Sequence, residues 1–289
     1  MANYLTFSSP NSFTLATKIS LKKWDGILEY STDASTWEVW DGVTTLLAND
    51  GKLYLRGTGN TKITAGTTSI GDVVYHHAWV LNGSNIACRG NIENLLDYKS
   101  VAKGEHPIMA ARCFEGMFWD CTALTEAPEL PATTLAGGCY EFMFYGCTAL
   151  TKAPELPATT LAGSCYYAMF YDCTALTKAP ELPATTLAGS CYYNMFYGCT
   201  ALTKAPELPA TTLAVQCYFG MFYGCTALTE APELPATTLA ISCYQFMFSK
   251  CTSLKSLPDL PATTLPDDCY LGMFISCSQI RVFHTQTAE

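Results

Sequence analysis

Cys191-Tyr-Tyr-Asn-Met-Phe-Tyr-Gly-Cys-Thr-Ala-Leu-Thr-Lys-Ala-Pro-Glu-Leu-Pro-Ala-Thr-Thr-Leu213 is one copy of a phrase that returns every 26 residues through the second half of the chain. Cys121, Cys147, Cys173, Cys199, Cys225, Cys251 and Cys277 form one column of this repeat, and Cys113, Cys139, Cys165, Cys191, Cys217, Cys243 and Cys269 form another, eight residues upstream. A period of this length marks an array whose units are too small to bury an apolar face alone and must stack on their neighbours. Within the quoted unit, Cys191, Met195 and Cys199 are spaced by four, and Tyr192 and Phe196 form the adjacent row. Read as one apolar stripe, that spacing predicts a two-turn helix. Leu202, Ala205 and Leu208 fall where a short buried strand places inward residues, but Pro206 donates no hydrogen bond, so the strand is expected to pair over only two or three residues. Pro209 to Leu213 then returns to the next helix, with Leu213 inward and Thr211 or Thr212 available as a cap. Short parallel strand, turn, short helix and return predict an α/β solenoid, a right-handed coil over residues 113–280.

The flanks read differently. Residues 1–86 predict a small, sandwich-like, all-β domain, with Ile27 to Trp40 as two alternating runs around a Ser/Thr/Asp/Ala turn, the pattern of a hairpin. Trp24, Trp37, Trp40 and Trp79 are expected mainly as core, with a sugar-binding platform as the alternative. Residues 87–112 read as an N-terminal cap of the repeats, and 281–289 as a C-terminal edge strand or tail.

Composition removes several functions. The net charge of −9, from 25 acidic and 16 basic residues, opposes a phosphate backbone, and no Lys/Arg cluster offsets it, so no nucleic-acid partner is expected. No apolar run approaches the roughly 20 residues of a membrane span. The opening Met1-Ala-Asn-Tyr-Leu-Thr-Phe-Ser-Ser-Pro10 shows neither the basic nor the apolar region of a signal peptide, although a trimmed secreted form would look the same. Fourteen of the 15 cysteines occupy two fixed columns beside Met, Phe and Leu, which favours buried reduced thiols. On a helix, an eight-residue separation spans about 12 Å, beyond disulfide reach. Cross-repeat disulfides stay open as the lesser reading. Cys-x7-Cys is no zinc spacing, and the four histidines, 76, 77, 106 and 284, lie in no triad or metal motif, so no catalysis, metal or cofactor is expected.

The Met-Phe-Tyr-Gly-Cys-Thr-Ala-Leu-Thr segment at 195–203 resembles the Ala-Phe-x-x-Cys-x-x-Leu-x-x-Ile segment of BspA-type leucine-rich repeats. The resemblance covers residues 113 to about 280, with 26 residues in place of the usual 23 and Ala-Pro where a β-branched strand residue is normal. The Glu-Tyr-Ser-Thr-Asp-x-Ser-Thr-Trp and Leu-Tyr-Leu-Arg-Gly-Thr-Gly-Asn segments of the N-terminal region resemble, more weakly, domains preceding such repeats in gut bacteria and their phages or prophages. The resemblance implies a leucine-rich-repeat solenoid in a non-enzymatic adhesion or protein-binding role, engaging a host protein or glycan. Alternatives are an intracellular phage inhibitor that blocks a host defence factor, and a spacer whose N-terminal domain binds. It implies a location in the host cytoplasm or the virion, or at the cell surface for a trimmed secreted form.

Stacking would turn sequence columns into stripes about 5 Å apart from one repeat to the next. Glu155, Glu181 and Glu207, with Glu129, Glu233 and Asp259, make an acidic stripe, accompanied by Lys152, Lys178 and Lys204. It reads as a solvated face, a docking stripe or, least, a cation site. Tyr145, Tyr171, Tyr197 and Tyr223 line up on the helix side, joined by Tyr167 and Tyr193; they read either as packing or as a recognition surface.

Overall fold

The computed structural model describes residues 4–19, 21–70 and 73–280. The expected C-terminal edge strand at 281–289, and His284 with it, lies outside the described residues.

The N-terminal region is built from strands whose alternation sets their buried faces. β1 (Leu5–Ser8) turns Leu5 and Phe7 inward, β2 (Phe13–Thr17) turns in Phe13 and Leu15, and β6 (Lys52–Thr58) turns in Leu53 and Leu55. The expected hairpin is present as β3 (Ile27–Ser31) and β4 (Glu38–Val39), paired antiparallel through Glu29–Val39 and Tyr30–Glu38. Its turn is held by Asp33, whose Oδ1 accepts the N–H groups of Ser35 and Thr36 at 2.8 Å, while Ala34 takes a positive φ. The remaining strands are β5 (Leu46–Ala48), β7 (Thr67–Ile70), β8 (Val73–His76), β9 (Trp79–Asn82) and β10 (Ile86–Arg89).

A six-stranded mixed sheet runs β11-β10-β1-β6-β3-β4, where β11 is Leu124–Glu126 of the first repeat; β5-β2-β9 form a second sheet, and β7-β8 a small ribbon. Phe7 of the first sheet meets Trp79 of the second at 6.3 Å between ring centres, and Trp40 lies edge-on to Trp79 at 5.5 Å. Trp24, Trp40 and Trp79 are thus core residues, 4 %, 1 % and 1 % exposed. β10 pairs antiparallel with β1 and parallel with β11, so one sheet passes from the N-terminal region into the repeats. Between them lies α1 (Asn94–Ala102), which carries a non-helical residue, Asp97, at φ −153°, ψ 97°. Asp97 Oδ1 accepts the N–H groups of Lys99 and Ser100, capping the second half of the element.

The repeats depart from expectation first in the run read as a helix. No α-helix follows α1 among the described residues; the stretch from Cys191 to Cys199 and its counterparts are runs of turns. Every fourth residue has a positive φ: Ser190, Asn194 and Gly198 in this unit, Gln216, Gly220 and Gly224 in the next. An L-residue in that region costs roughly 1–2 kcal/mol and breaks an α-helix. What offsets the cost is the direction of the hydrogen bonds. In one repeat the N–H groups of Tyr193, Met195, Tyr197 and Cys199 turn back three residues, to the carbonyls of Ser190, Tyr192, Asn194 and Phe196. The intervening N–H groups, of Ser190, Tyr192, Asn194, Phe196 and Gly198, donate instead to Val215, Cys217, Phe219, Met221 and Tyr223 of the following repeat, at 2.8–3.0 Å. A helix would keep all its bonds to itself; this run exports half of them to its neighbour. Buried backbone polar groups are thereby satisfied within and between repeats.

The apolar stripe itself is as expected. Cys191, Tyr192, Met195, Phe196 and Cys199 are each 1 % exposed or less, as are their counterparts in the other central repeats. Ring ladders run through this core: Phe118, Phe144, Phe170, Phe196, Phe222, Phe248 and Phe274 stack at 5.5–5.7 Å, nearly parallel. Each thiol of the Cys121 column from Cys147 to Cys277 donates to a Phe carbonyl of the preceding repeat at 3.0–3.1 Å. All 15 cysteines are free, and burial pushes the thiols up, Cys191 and Cys251 to about 12. Leu202, Ala205, Leu208 and Leu213 point inward. The strand they belong to is shorter than expected: beyond β11, parallel pairing shrinks to isolated bridges such as Lys152–Lys178 and Thr212–Thr238, because the prolines supply no donors.

Candidate functional site

The residues singled out from sequence fall into two sets. The first is the Ala-Pro-Glu-Leu-Pro segment. Lys152, Lys178, Lys204, Glu155, Glu181 and Glu207 are all exposed, as are Glu129, Glu233 and Asp259. Alternation puts Ala205 and Leu208 into the core and leaves Lys204 and Glu207 outside. Three pairs of neighbouring segments leave a groove between them. A groove of 620 Å³ lies between Glu126–Pro131 and Lys152–Pro157, one of 440 Å³ between Lys204–Pro209 and Glu230–Pro235, and one of 190 Å³ between Lys178–Glu181 and Lys204–Glu207. Their walls combine alanine, proline and leucine with lysine and glutamate heads. Among the described residues no ion pair within 4 Å joins these lysines and glutamates to one another. Like charges at about 5 Å in water repel by only ~0.8 kcal/mol, so the stripes persist as solvated columns.

The second set is the tyrosines. Tyr145, Tyr171, Tyr197 and Tyr223 stack face to face at 4.6, 4.3 and 4.5 Å, within 8° of parallel. Trp119 extends this ladder at 4.2 Å from Tyr145, His76 stacks on Trp119 at 4.4 Å, and Lys250 Nζ lies 5.1 Å over Tyr223 at the far end. A second ladder pairs Tyr167 with Tyr193 at 4.6 Å and Tyr193 with Phe219 at 4.4 Å, with Phe142 and Phe246 edge-on at its ends. Burial pushes the phenols of Tyr145, Tyr171, Tyr193 and Tyr197 up, and that of Tyr167 to about 12. Stacking decides what these rings can offer. A sugar packs on an aromatic face, and inside the ladders each face is covered by the next ring. The tyrosines present edges and hydroxyls, not platforms. No hydrogen bond or ion pair among the described residues joins the tyrosine set to the Lys/Glu set.

Sequence reasoning missed the groups that join the N-terminal region to the first repeat. Trp119 was legible, standing 26 residues before Tyr145, but nothing near His76 in sequence signals its place on the ladder. His76 Nδ1 also lies 3.5 Å from Glu115 Oε1, and Glu115, 2 % exposed, accepts the Gly66 N–H at 2.9 Å. Burial works against the Glu115 charge, but His76, the Gly66 N–H and Arg112 outweigh it and hold the carboxyl below its usual range. Glu141, 3.7 Å from Arg112, is instead pushed up by burial. His77 bonds Thr68 Oγ1 at 2.8 Å and the Ala65 carbonyl at 3.0 Å, and burial lowers its pKa. The group orienting it is a backbone carbonyl, where a nucleophile–histidine–carboxylate triad would place a carboxylate. Among the described residues no group of three His, Cys, Asp or Glu side chains has the arrangement of a metal site, and no helix is long and apolar enough to cross a membrane. No protein-family model, curated protein or solved structure matches the chain.

Proposed function

We propose that this chain is a non-enzymatic binding protein of the leucine-rich-repeat kind, a solenoid in which runs of turns replace the helices. In this reading it engages a host protein or glycan through the Ala-Pro-Glu-Leu-Pro face, in a phage or prophage setting as its sequence resemblance implies. The observation that carries the reading is the groove that recurs between neighbouring repeats, with alanine, proline and leucine in its walls and flanked by lysines and glutamates of which, among the described residues, only Glu126 has an ion-pair partner, Arg89. A surface of that composition, with charged heads free to find partners, suits an extended segment laid across successive repeats. Support for the solenoid comes from the repeat-to-repeat hydrogen bonds and the parallel ring ladders.

A spacer reading has one observation in its favour: the tyrosine ladders cover their own faces and leave no aromatic platform. Two variants separate the readings. A glycan array and a host-lysate capture are run with the intact chain, with Lys152, Lys178 and Lys204 all changed to Glu, and with residues 174–199 deleted. Loss of a captured partner on charge reversal is expected. A partner retained at equal affinity by both variants would leave the repeats as a spacer.

A further inference from the structure

A pocket of 330 Å³ lies apart from the repeat grooves, between the segment preceding the first repeat and that repeat's Ala132–Ala136 stretch. Counting back from Cys113 and Cys139, His106 to Met109 occupy the register of Ala132 to Leu135. In two later pairs of repeats this register is stitched, by the Thr160–Thr186 and Thr212–Thr238 bridges and by the Leu161 and Leu213 N–H groups on the Thr186 and Thr238 carbonyls. Among the described residues no such bond joins the pre-repeat segment to Ala132–Leu135, and the space between them stays open.

Glu93 supplies one wall, its side chain 1 % exposed. Among the described residues its carboxylate receives only His106 Nδ1, at 3.0 and 2.9 Å to its two oxygens, and a long contact of 3.5 Å from Asn91 Nδ2. A carboxylate accepts about four hydrogen bonds, so this one is under-supplied where water is scarce. No Lys or Arg lies within 4 Å of it among the described residues. His106 itself is 57 % exposed, placing it toward solvent. The next residue in the chain, Asn94, is 1 % exposed and leaves both polar atoms of its amide without a partner, so further hydrogen-bonding capacity is unspent in the segment that carries Glu93. The other walls are mostly apolar, with Pro107, Ile108, Met109 and Leu135 beside Ala132 and Ala136, and Thr133 and Thr134 as their polar members. One carboxylate is too few oxygens for a calcium or magnesium ion, which takes six or more ligands. A buried negative charge behind an aliphatic channel instead fits an organic cation whose charge is at the tip of a short apolar stem.

We propose that this pocket binds an alkylammonium group, its nitrogen on the Glu93 carboxylate and its methylenes against Ile108, Met109 and Leu135. The group's source is either a free amine or a lysine side chain of a partner protein. The test titrates the full chain with n-butylamine, with its uncharged counterpart 1-butanol, and with the tripeptide acetyl-Ala-Lys-Ala-amide, following the methyl resonance of Met109 and the ring of His106. Saturable shifts with n-butylamine are expected, with 1-butanol at least tenfold weaker and Glu93→Gln reducing amine affinity tenfold or more. Ile108→Lys, at a residue 78 % exposed whose replacement is compatible with folding, places a tethered ammonium at the pocket and is expected to abolish binding even if Glu93→Gln fails to fold. Tripeptide binding as tight as n-butylamine assigns the lysine source, and exclusion of the tripeptide assigns the free amine. Non-saturable shifts, equal binding of 1-butanol, or unchanged amine affinity in Ile108→Lys overturns the proposal.

Discussion

Gly198 and Gly224 occupy the same position of successive repeats with almost the same backbone, φ +70° and +71°, yet alanine is expected to have different effects at the two. A β-carbon on Gly224 would meet nothing closer than the Gly198 backbone at 3.9 Å, whereas one on Gly198 would come within 1.9 Å of Asp172 Oδ1 from the preceding repeat. The reason is a rule of alternation along the positive-φ columns: a side chain there leans over the equivalent residue 26 positions on. Asp120 covers Gly146, Asp172 covers Gly198, Asn194 covers Gly220 and Phe246 covers Gly272. Gly224→Ala therefore carries only the left-handed strain, about 1–2 kcal/mol. Gly198→Ala carries the same strain plus the displacement of a partly buried carboxylate, an overpacking term of roughly 1–3 kcal/mol. Urea unfolding of each variant followed by circular dichroism measures the difference, with linear extrapolation and a check that the slope is unchanged. Asp172→Gly in the Gly198→Ala background removes the obstruction, so a double-mutant cycle is expected to return a coupling of about 1 kcal/mol or more. Equal destabilisation at 198 and 224, or a coupling near zero, would refute the alternation rule.

Three further outcomes follow from the core and its titrating groups. Phe170→Ala empties a fully buried place in the ring ladder between Phe144 and Phe196, and a loss of about 3–5 kcal/mol is expected by the same urea assay. The raised phenols of Tyr145, Tyr167, Tyr171, Tyr193 and Tyr197 bind protons more tightly folded than unfolded. Their contribution is complete below the ordinary phenol range near pH 10 and falls as pH rises toward about 12 and beyond, so the unfolding midpoint should drop over that window while phenolate absorbance lags behind free tyrosine. Against a thiol reagent at pH 8, only half-buried Cys277 is expected to react quickly, with all 15 thiols reacting once the chain is unfolded; rapid labelling of several thiols in the native state would contradict the packing.

The sequence carried the repeat, both cysteine columns and the inward set Leu202, Ala205, Leu208 and Leu213, because burial follows from residue type and fixed spacing alone. The Ile27–Trp40 hairpin was legible from its Ser/Thr/Asp/Ala turn, not from burial, since Ile27 and Val39 are exposed. The turn run was not, since a spacing of four at Cys191, Met195 and Cys199 satisfies a helical stripe and a four-residue turn unit equally. The discriminating signal was fainter: Asn194 and Gly198, then Gly220 and Gly224, are residues at ease with positive φ, again four apart. Phe142, Ala168, Phe246 and Lys250 hide it by taking the same conformation without the usual residue type. α1 was hidden because only Asn94, Leu95 and Leu96 of it are buried, too few to show a period. Of the candidate surfaces, the column positions were legible, but ring stacking and groove depth depend on how far apart neighbouring repeats sit, which a period does not state.

That separation differs from one side of a repeat to the other, and proline is the cause. On the turn side every second N–H crosses to the next repeat, and the outer tyrosines close to 4.3–4.6 Å. In the core the phenylalanines stand 5.5–5.7 Å apart. On the Ala-Pro-Glu-Leu-Pro side each proline withholds a donor, cross-repeat bonding thins to contacts such as Thr177 N–H on the Thr151 carbonyl at 3.4 Å, and grooves open between neighbours. The residue that defeats the strand is thus the one that exposes backbone carbonyls, apolar walls and charged heads together. Replacing Pro206 and Pro232 with valine would restore donors at adjacent repeats, and with them the means to stitch this side. The expected result is a more stable chain with a shallower groove, in which any partner that docks between Lys204 and Glu233 binds more weakly while amine binding at Glu93 is unchanged. Stabilisation without loss of partner affinity would place recognition elsewhere on the molecule.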